Sequence, residues 1–195
     1  MAIANGINIA CSDLQASGGI RSIHIRTWST GDSITYSNSA ANHSITSIAN
    51  GGSTATWYNF EFKNEVPVFT STASKENGST MFENSLSFMM PEMDNNKGHV
   101  IQELMDTCMM ALAVANNGKI YVLGVSQKYS NEKATLRNQT YASMTSLEGT
   151  SGAAYNDDSG WTVTLTCRQW EAPRLYTPSG AGLVLLTGTG TSTTT

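Results

Sequence analysis

Three histidines, three cysteines and two short acidic runs are the side chains of this 195-residue sequence with reactive chemistry. His24, His43 and His99 lie far apart, and none has a second histidine two or four positions on, as a zinc site on a strand or helix would need. Asp94-Asn95-Asn96-Lys97-Gly98 begins like a calcium loop. Its fifth position is Gly98 and its twelfth is Met105, where calcium requires oxygen ligands. Asp94 reads instead as a helix N-cap, and Asp157-Asp158, among Asn, Ser and Gly, reads as turn chemistry.

The sequence carries no G-x-S-x-G elbow, no phosphate-binding G-x-x-x-x-G-K-[ST] loop and no G-x-G-x-x-G between a strand and a helix. His24 alternates along an apolar strand, a position that reads as solvent- or interface-facing, and nothing local supplies a triad around it. Cys11, Cys108 and Cys167 are odd in number and widely spaced, so neither a disulfide framework nor a metal knot is expected. They read as reduced thiols with at least two buried. Cys108 closes an apolar helical row, and Cys167 alternates with Trp161, Val163 and Leu165. Catalytic residues, cofactors and metals are therefore all expected to be absent.

Composition narrows the class further. Only 13% of residues are charged and the net charge is −4, which lacks the basic excess of a phosphate-backbone binder. A 39% hydrophobic content suits a folded chain whose surface is mostly hydroxyl and amide, the kind of surface that meets other subunits. No run approaches the ~18 apolar residues of a membrane span. Residues 1–14 lack an early Lys or Arg and are broken by Asn5, Gly6 and Asn8, so a signal peptide is not expected. Three Asn-x-Ser/Thr matches, at Asn42, Asn77 and Asn138, are what chance supplies in so Asn- and Ser-rich a chain.

The elements that would hold these residues are mainly strands. Residues 20–28 (IRSIHIRTW) alternate after an aperiodic arm over 1–19. Residues 29–53 read as an extended loop with weak hairpin character near 33–36 and 44–49. Residues 54–73 (TATWYNFEFKNEVPVFTSTA) read as two strands or one bent strand, with Pro67 forbidding one ladder bond. Asn77-Gly78 predicts a hairpin. In the returning strand Phe82, Asn84, Leu86, Phe88 and Met90 share one face, with Asn84 the misfit, while Met81, Glu83, Ser85, Ser87 and Met89 share the other.

After Pro91 the period changes. Val100, Ile101, Leu104, Met105 and Cys108 recur at helical spacing behind Asp94. Residues 109–125 then form a second hairpin about Asn116-Asn117-Gly118. Residues 133–149 are expected to hold one long strand, and residues 161–170 (WTVTLTCRQW) alternate strictly, with Thr162, Thr164, Thr166 and Arg168 opposite the apolar row. The many methionines, Met81, Met89, Met90, Met93, Met105, Met109 and Met110, read as adaptable core or interface filler. A Gly/Thr-rich tail over 177–195 closes the chain, either fraying or ordered by a neighbouring subunit. Eight to ten strands and one helix predict a mainly β domain over 20–176, a β-sandwich or partly rolled barrel with one flanking α-helix.

The order of these features resembles the phage tail tube proteins. The resemblance runs over about residues 10–175. It rests on an N-terminal Cys followed by Gly18-Gly19-Ile20, Tyr58-Asn59-Phe60-Glu61-Phe62-Lys63, Phe69-Thr70-Ser71-Thr72, the strand from Phe82 to Met90, the capped helix, Asn116-Asn117-Gly118-Lys119-Ile120-Tyr121 and the last Trp161-to-Cys167 strand. It is most similar to tubes of long-tailed phages of Bacteroidetes-type hosts, which are related to those of contractile tails and type VI secretion. The resemblance implies hexameric rings stacked into a tube for genome passage, without an active site. It also implies contacts to terminator, tape-measure and baseplate proteins, and a place in the virion after assembly in the host cytoplasm.

Under this resemblance the 29–53 segment, with Asn38, Asn42, His43 and Ser44, suits a reach to a neighbouring subunit. Two strand faces, one with Glu83, Ser85 and Ser87 and one with Thr162, Thr164 and Thr166, are candidates for the lumen or the outer wall. Another virion protein of the same fold, a terminator or decoration subunit, is the nearest alternative. A carbohydrate-binding β-sandwich using Trp28, Trp57, Trp161 and Trp170 as stacking platforms is a third.

Overall fold

A computed structural model describes residues 18–28, 32–39, 42–49, 56–62, 66–127, 140–154 and 156–178. Most of the N-terminal arm, the C-terminal tail from 179 on and positions 133–139 of the expected long strand lie outside these residues. In chain order the elements are β1 (Ile20–Thr27), β2 (Ser33–Ser39), β3 (Asn42–Ala49), β4 (Tyr58–Phe60), β5 (Val68–Glu76), β6 (Ser79–Pro91), α1 (Asn95–Met105), β7 (Met109–Ala115), β8 (Ile120–Leu123), β9 (Ser143–Thr150), β10 (Gly160–Gln169) and β11 (Leu175–Tyr176). The protein is mainly β, two sheets and one helix, as its periodicity predicts.

The larger sheet has the order β2-β3-β11-β8-β7-β1-β4 and the smaller the order β5-β6-β10-β9. Local chemistry sets the hairpins. Asn77 and Gly78 both take positive φ, 49° and 81°, so β5 and β6 turn in two residues. Between β7 and β8 only Gly118 is left-handed, and the N–H of Gly118 returns to the carbonyl of Ala115, which gives the three-residue version of the turn. Residues 54–73 do form two strands, and they part company: β4 joins the larger sheet beside β1, and β5 joins the smaller beside β6.

Alternation then builds the core between the sheets. Leu86, Phe88 and Met90 of β6 and Val163, Leu165 and Cys167 of β10 face Ile23, Ile25, Ala111 and Ala113 of the larger sheet. Helix α1 adds Ile101 and Leu104 to the same core. Its N-cap is Asp94, whose Oδ1 accepts the backbone N–H of Lys97 at 2.7 Å. These bonds hold the Asp94 carboxyl below the usual carboxylate range.

The far face of the larger sheet is buried as well. Met110, Leu112, Val114 and Val122 meet Ile34, Ile45 and Trp57 in a second core. β1 and β2 are five strand spacings apart in the sheet, about 24 Å if it were flat. Yet Arg26 of β1 binds Asp32, the residue before β2, at 2.7 Å, both side chains essentially buried, and the guanidinium lies 5.0 Å from the Trp57 ring centre. The sheet therefore rolls until its β2 end lies over β1. It stays open, because β2 and β4 do not pair with each other.

The 29–53 segment differs most from its sequence reading. It holds an antiparallel hairpin, with Ser33 opposite Ala49 and Asn38 opposite His43 and a shift of register between Thr35 and Tyr36. Ser and Asn have weak strand preference, but Ile34 and Ile45 reach the rolled core and carry the polar positions with them. Position 143, not 133, begins β9, and a single bridge from Ala142 to Met109 precedes it. Gly124, at φ 88°, lets that bridge pass. A Cβ there would sit 2.7 Å from the Met109 carbonyl and 2.8 Å from the Ala142 nitrogen.

Removing one partner of a buried ion pair leaves the other uncompensated, at a cost of about 3–5 kcal/mol, whereas an apolar replacement of both is close to neutral. Urea unfolding of Asp32→Ala is therefore expected to show a loss of that size, and the Arg26→Met, Asp32→Leu double substitution to recover most of it. Equal losses in both would show that the loss does not come from an uncompensated buried charge.

Candidate assembly surface

The ladder between β6 and β10 places Thr162 opposite Met89, Thr164 opposite Ser87, Thr166 opposite Ser85 and Arg168 opposite Glu83. Residues directly opposite share a face. The two candidate faces, Glu83/Ser85/Ser87 and Thr162/Thr164/Thr166, are thus one surface, the outer side of the smaller sheet. β5 extends it with Thr70 opposite Ser85 and Thr72 opposite Glu83, and β9 with Ser146 opposite Thr164 and Ser143 opposite Thr166. One row of hydroxyls, Thr70, Ser85, Thr166 and Ser143, crosses all four strands, a second, Ser87, Thr164 and Ser146, crosses three and meets Val68 on β5, and Thr164 Oγ1 and Ser87 Oγ lie 3.4 Å apart. Charge on this face is confined to Glu83, Arg168 and Glu148 together with Glu76 at the hairpin tip, and Glu83 and Arg168 pair at 3.5 Å.

Among the described residues both borders of this sheet are unpaired. β5 is exposed along nearly its whole length and β9 along most of it. Neither contains a proline, so each offers a row of outward N–H and C=O groups that a further strand could take up. Every pair within the sheet is antiparallel, so β5 and β9 run in opposite directions.

The inner side explains the misfit in the apolar row. Asn84 stands opposite Cys167, and its Nδ2 donates to Cys167 Sγ at 3.8 Å. Both are buried, and burial pushes the Cys167 thiol up to about 11. Cys108 is exposed instead of buried. The helix stops at Met105, with Asp106 as its C-cap, so the helical row that would have carried Cys108 inward ends before it.

Of the residues assigned to a reach between subunits, Asn38, Asn42, His43 and Ser44 lie on β2 and β3 and not in a loop. Ser44 is buried opposite Leu175 of β11. His43 is exposed, with Nε2 3.5 Å from Arg174 Nη2. Because arginine only donates, His43 Nε2 is the acceptor there. Arg174 also donates to Gln127 Oε1 at 2.6 Å and Glu171 Oε2 at 3.3 Å, with its guanidinium 5.1 Å from the Tyr36 ring centre. Glu171 Oε1 accepts from Ser126 Oγ at 2.8 Å and from the backbone N–H of Gln127. The cluster ties β2 and β3 to the segments around β8 and β11. Its serine bonds the carboxylate and not the histidine, which is not the order of a nucleophilic triad.

His24 is buried on the rolled side of β1, between Asn59 and Leu112 in register, and not at a surface. Burial lowers its pKa below the ordinary 6.5, and its Nδ1 has no hydrogen-bond partner. The tryptophans are packed. Trp57 lies under Arg26, Trp28 meets Tyr141 in a tilted contact with ring centres 5.6 Å apart, and Trp161 covers Gly149 so closely that a Cβ there would be 2.5 Å from its ring. Among the described residues no group of three or more His, Cys, Asp or Glu is placed to hold a metal ion, and no helix is long and apolar enough to cross a membrane.

The signal for the second buried face was present in the sequence. MMALAVA, continuous rather than alternating, is the pattern of a strand covered on both sides. Compared with protein-family models, curated proteins and solved structures, the chain matches none of them.

Two outcomes follow from the buried groups. In a Cys11→Ser, Cys108→Ser background, Cys167 is expected to react with a thiol reagent at pH 8 only in denaturant. Rapid labelling of the native protein would contradict its burial. For His24, the unfolded chain takes up a proton as pH falls through about 6.5 while the folded chain resists it, so stability is full above that pH and declines below it. Thermal melting between pH 7 and 5 is expected to fall for the wild type and to flatten in His24→Asn.

Proposed function

We propose that this protein is a structural virion subunit, a phage tail tube protein whose copies close into hexameric rings stacked around a channel for the genome. The observation that carries this reading is the smaller sheet, which among the described residues has four antiparallel strands and two open borders, with β6 and β10 turning one face to the core and a face rich in hydroxyls outward. Rotation about an axis along the strands preserves strand direction. It would bring β9 of one copy antiparallel beside β5 of the next and continue the ladder without a reversed junction. Repetition around a ring removes every edge. The number six comes from the resemblance to tail tubes.

In such a ring the rolled sheet and α1 stand outside, and the Ser/Thr face lines the channel. A duct for DNA must not hold phosphates, and each free Lys or Arg on its wall would add a salt-dependent contact. The hydroxyl face carries one basic side chain, Arg168, paired with Glu83. Net charge −4 has the same sense. The partners are further copies, terminator, tape-measure and baseplate proteins, and DNA in passage. The destination is the virion, after assembly in the host cytoplasm.

Adjacent residues of an edge strand point their N–H groups alternately inward and outward. Of Thr70→Pro and Ser71→Pro in β5, one therefore removes an outward donor and the other a donor to β6. Sedimentation velocity is expected to show wild-type species well above the 20.9 kDa monomer. One proline variant is expected to stay monomeric with an almost unchanged melting temperature, and the other to melt early. Association surviving in a well-folded form of both variants would exclude pairing through β5.

A further inference from the structure

Edge strand β4 and helix α1 flank a groove of about 870 Å³. Its floor is apolar, formed by Ile25, Phe60, Met90, Leu104 and Met109. Tyr58, 53% exposed, and Val100 overlook it. Among the described residues β4 ends the larger sheet, pairing with β1 on one side only. Alternate backbone groups on its other side are open to a further strand.

The rim has one sign of charge to spare. The cations that line the groove are engaged: Arg26 with Asp32 at 2.7 Å, and Lys97 with Asp94 at 3.0 Å and Glu92 at 3.6 Å. Among the described residues the acids left over are Glu61, Glu103 and Asp106. Glu103 and Asp106 stand at the C-terminal end of α1, where the last carbonyls already concentrate negative charge and a basic residue is favoured. The last turn has none. The neighbour of Glu103 is His99 at 3.5 Å, charged only when protonated.

We propose that the β4–α1 groove docks an extended polypeptide segment of a partner protein, alternating apolar with Lys or Arg side chains and added as a strand to β4. Each part of the groove then has its counterpart. The β4 backbone takes the main-chain bonds, the floor takes the apolar side chains, and the acids and the helix end take the cations. An acidic segment or an anionic lipid surface would meet like charge at Glu61, Glu103 and Asp106. The groove is separate from the β5 and β9 borders, so the proposal does not depend on ring formation.

The test uses two fluorescent synthetic peptides, repeats of Lys-Val-Thr-Val and of Glu-Val-Thr-Val, titrated against the full chain by anisotropy, with amide hydrogen exchange of the complex. The basic peptide is expected to bind and the acidic one not. Reversal of the exposed pair, Glu103→Lys with Asp106→Lys, is expected to weaken binding by about tenfold or more. New protection is expected at Tyr58–Phe60. Equal binding of both peptides, undiminished binding to the reversed variant, protection confined to β5 or β9, or no binding at all would overturn the proposal. Protection of β4 by self-association alone, lost in the reversed variant, would also overturn it by showing that a second copy fills the groove.

Discussion

All seven residues of β7, Met109 to Ala115, are buried, so both sides of the strand must be covered. The rest of the architecture follows from that requirement. On one side the smaller sheet and α1 supply Leu86, Phe88, Val163, Leu165, Ile101 and Leu104. On the other no second layer exists among the described residues, and the larger sheet covers itself by rolling β2 and β3 over β7 and β1. The buried Arg26–Asp32 pair and Trp57 mark where the roll meets its far end. Such a pair is weak evidence for stability, yet it is well suited to fixing which way the sheet turns, because any other register would strand a charge in the core.

A sheet that spends its outer strands on its own far face has none left to cover the smaller sheet. Among the described residues β5 and β9 are therefore left with open borders, and the face between them is largely polar and, apart from Met89, not buried. Those two properties, an unfinished ladder and a hydroxyl surface with little charge, are liabilities in a solitary molecule. In a closed assembly they become a joint and a lining. The proposed function thus grows from the same constraint as the fold.

The strands around the smaller sheet were legible because one face is wet. β6 and β10 alternate cleanly, and the Asn-Gly and Asn-Asn-Gly turns declare their hairpins. Helix α1 was legible from its cap and its spacing, although only Ile101 and Leu104 of its apolar row are buried. The rolled half was less so. β2 and β3 are written largely in Ser, Thr and Asn, and their strand character depends on Ile34 and Ile45 finding a core on the far side of the sheet. β11, two residues long, is too short for any period. His24 and Cys108 were misplaced for related reasons: one sits on a second buried face, the other lies beyond the end of the helix. The candidate surface residues could be read as faces, but that Ser85 and Thr166 share one face needed the register, which no single strand contains.

Negative-stain electron microscopy of the assembled protein, with rotational analysis of end-on views, tests the central claim most directly. The account predicts hollow rings or tubes of six-fold symmetry, with the channel wall formed by the smaller sheets. Compact solitary particles at every concentration and salt condition tried, from protein that is folded by its circular dichroism, would contradict it.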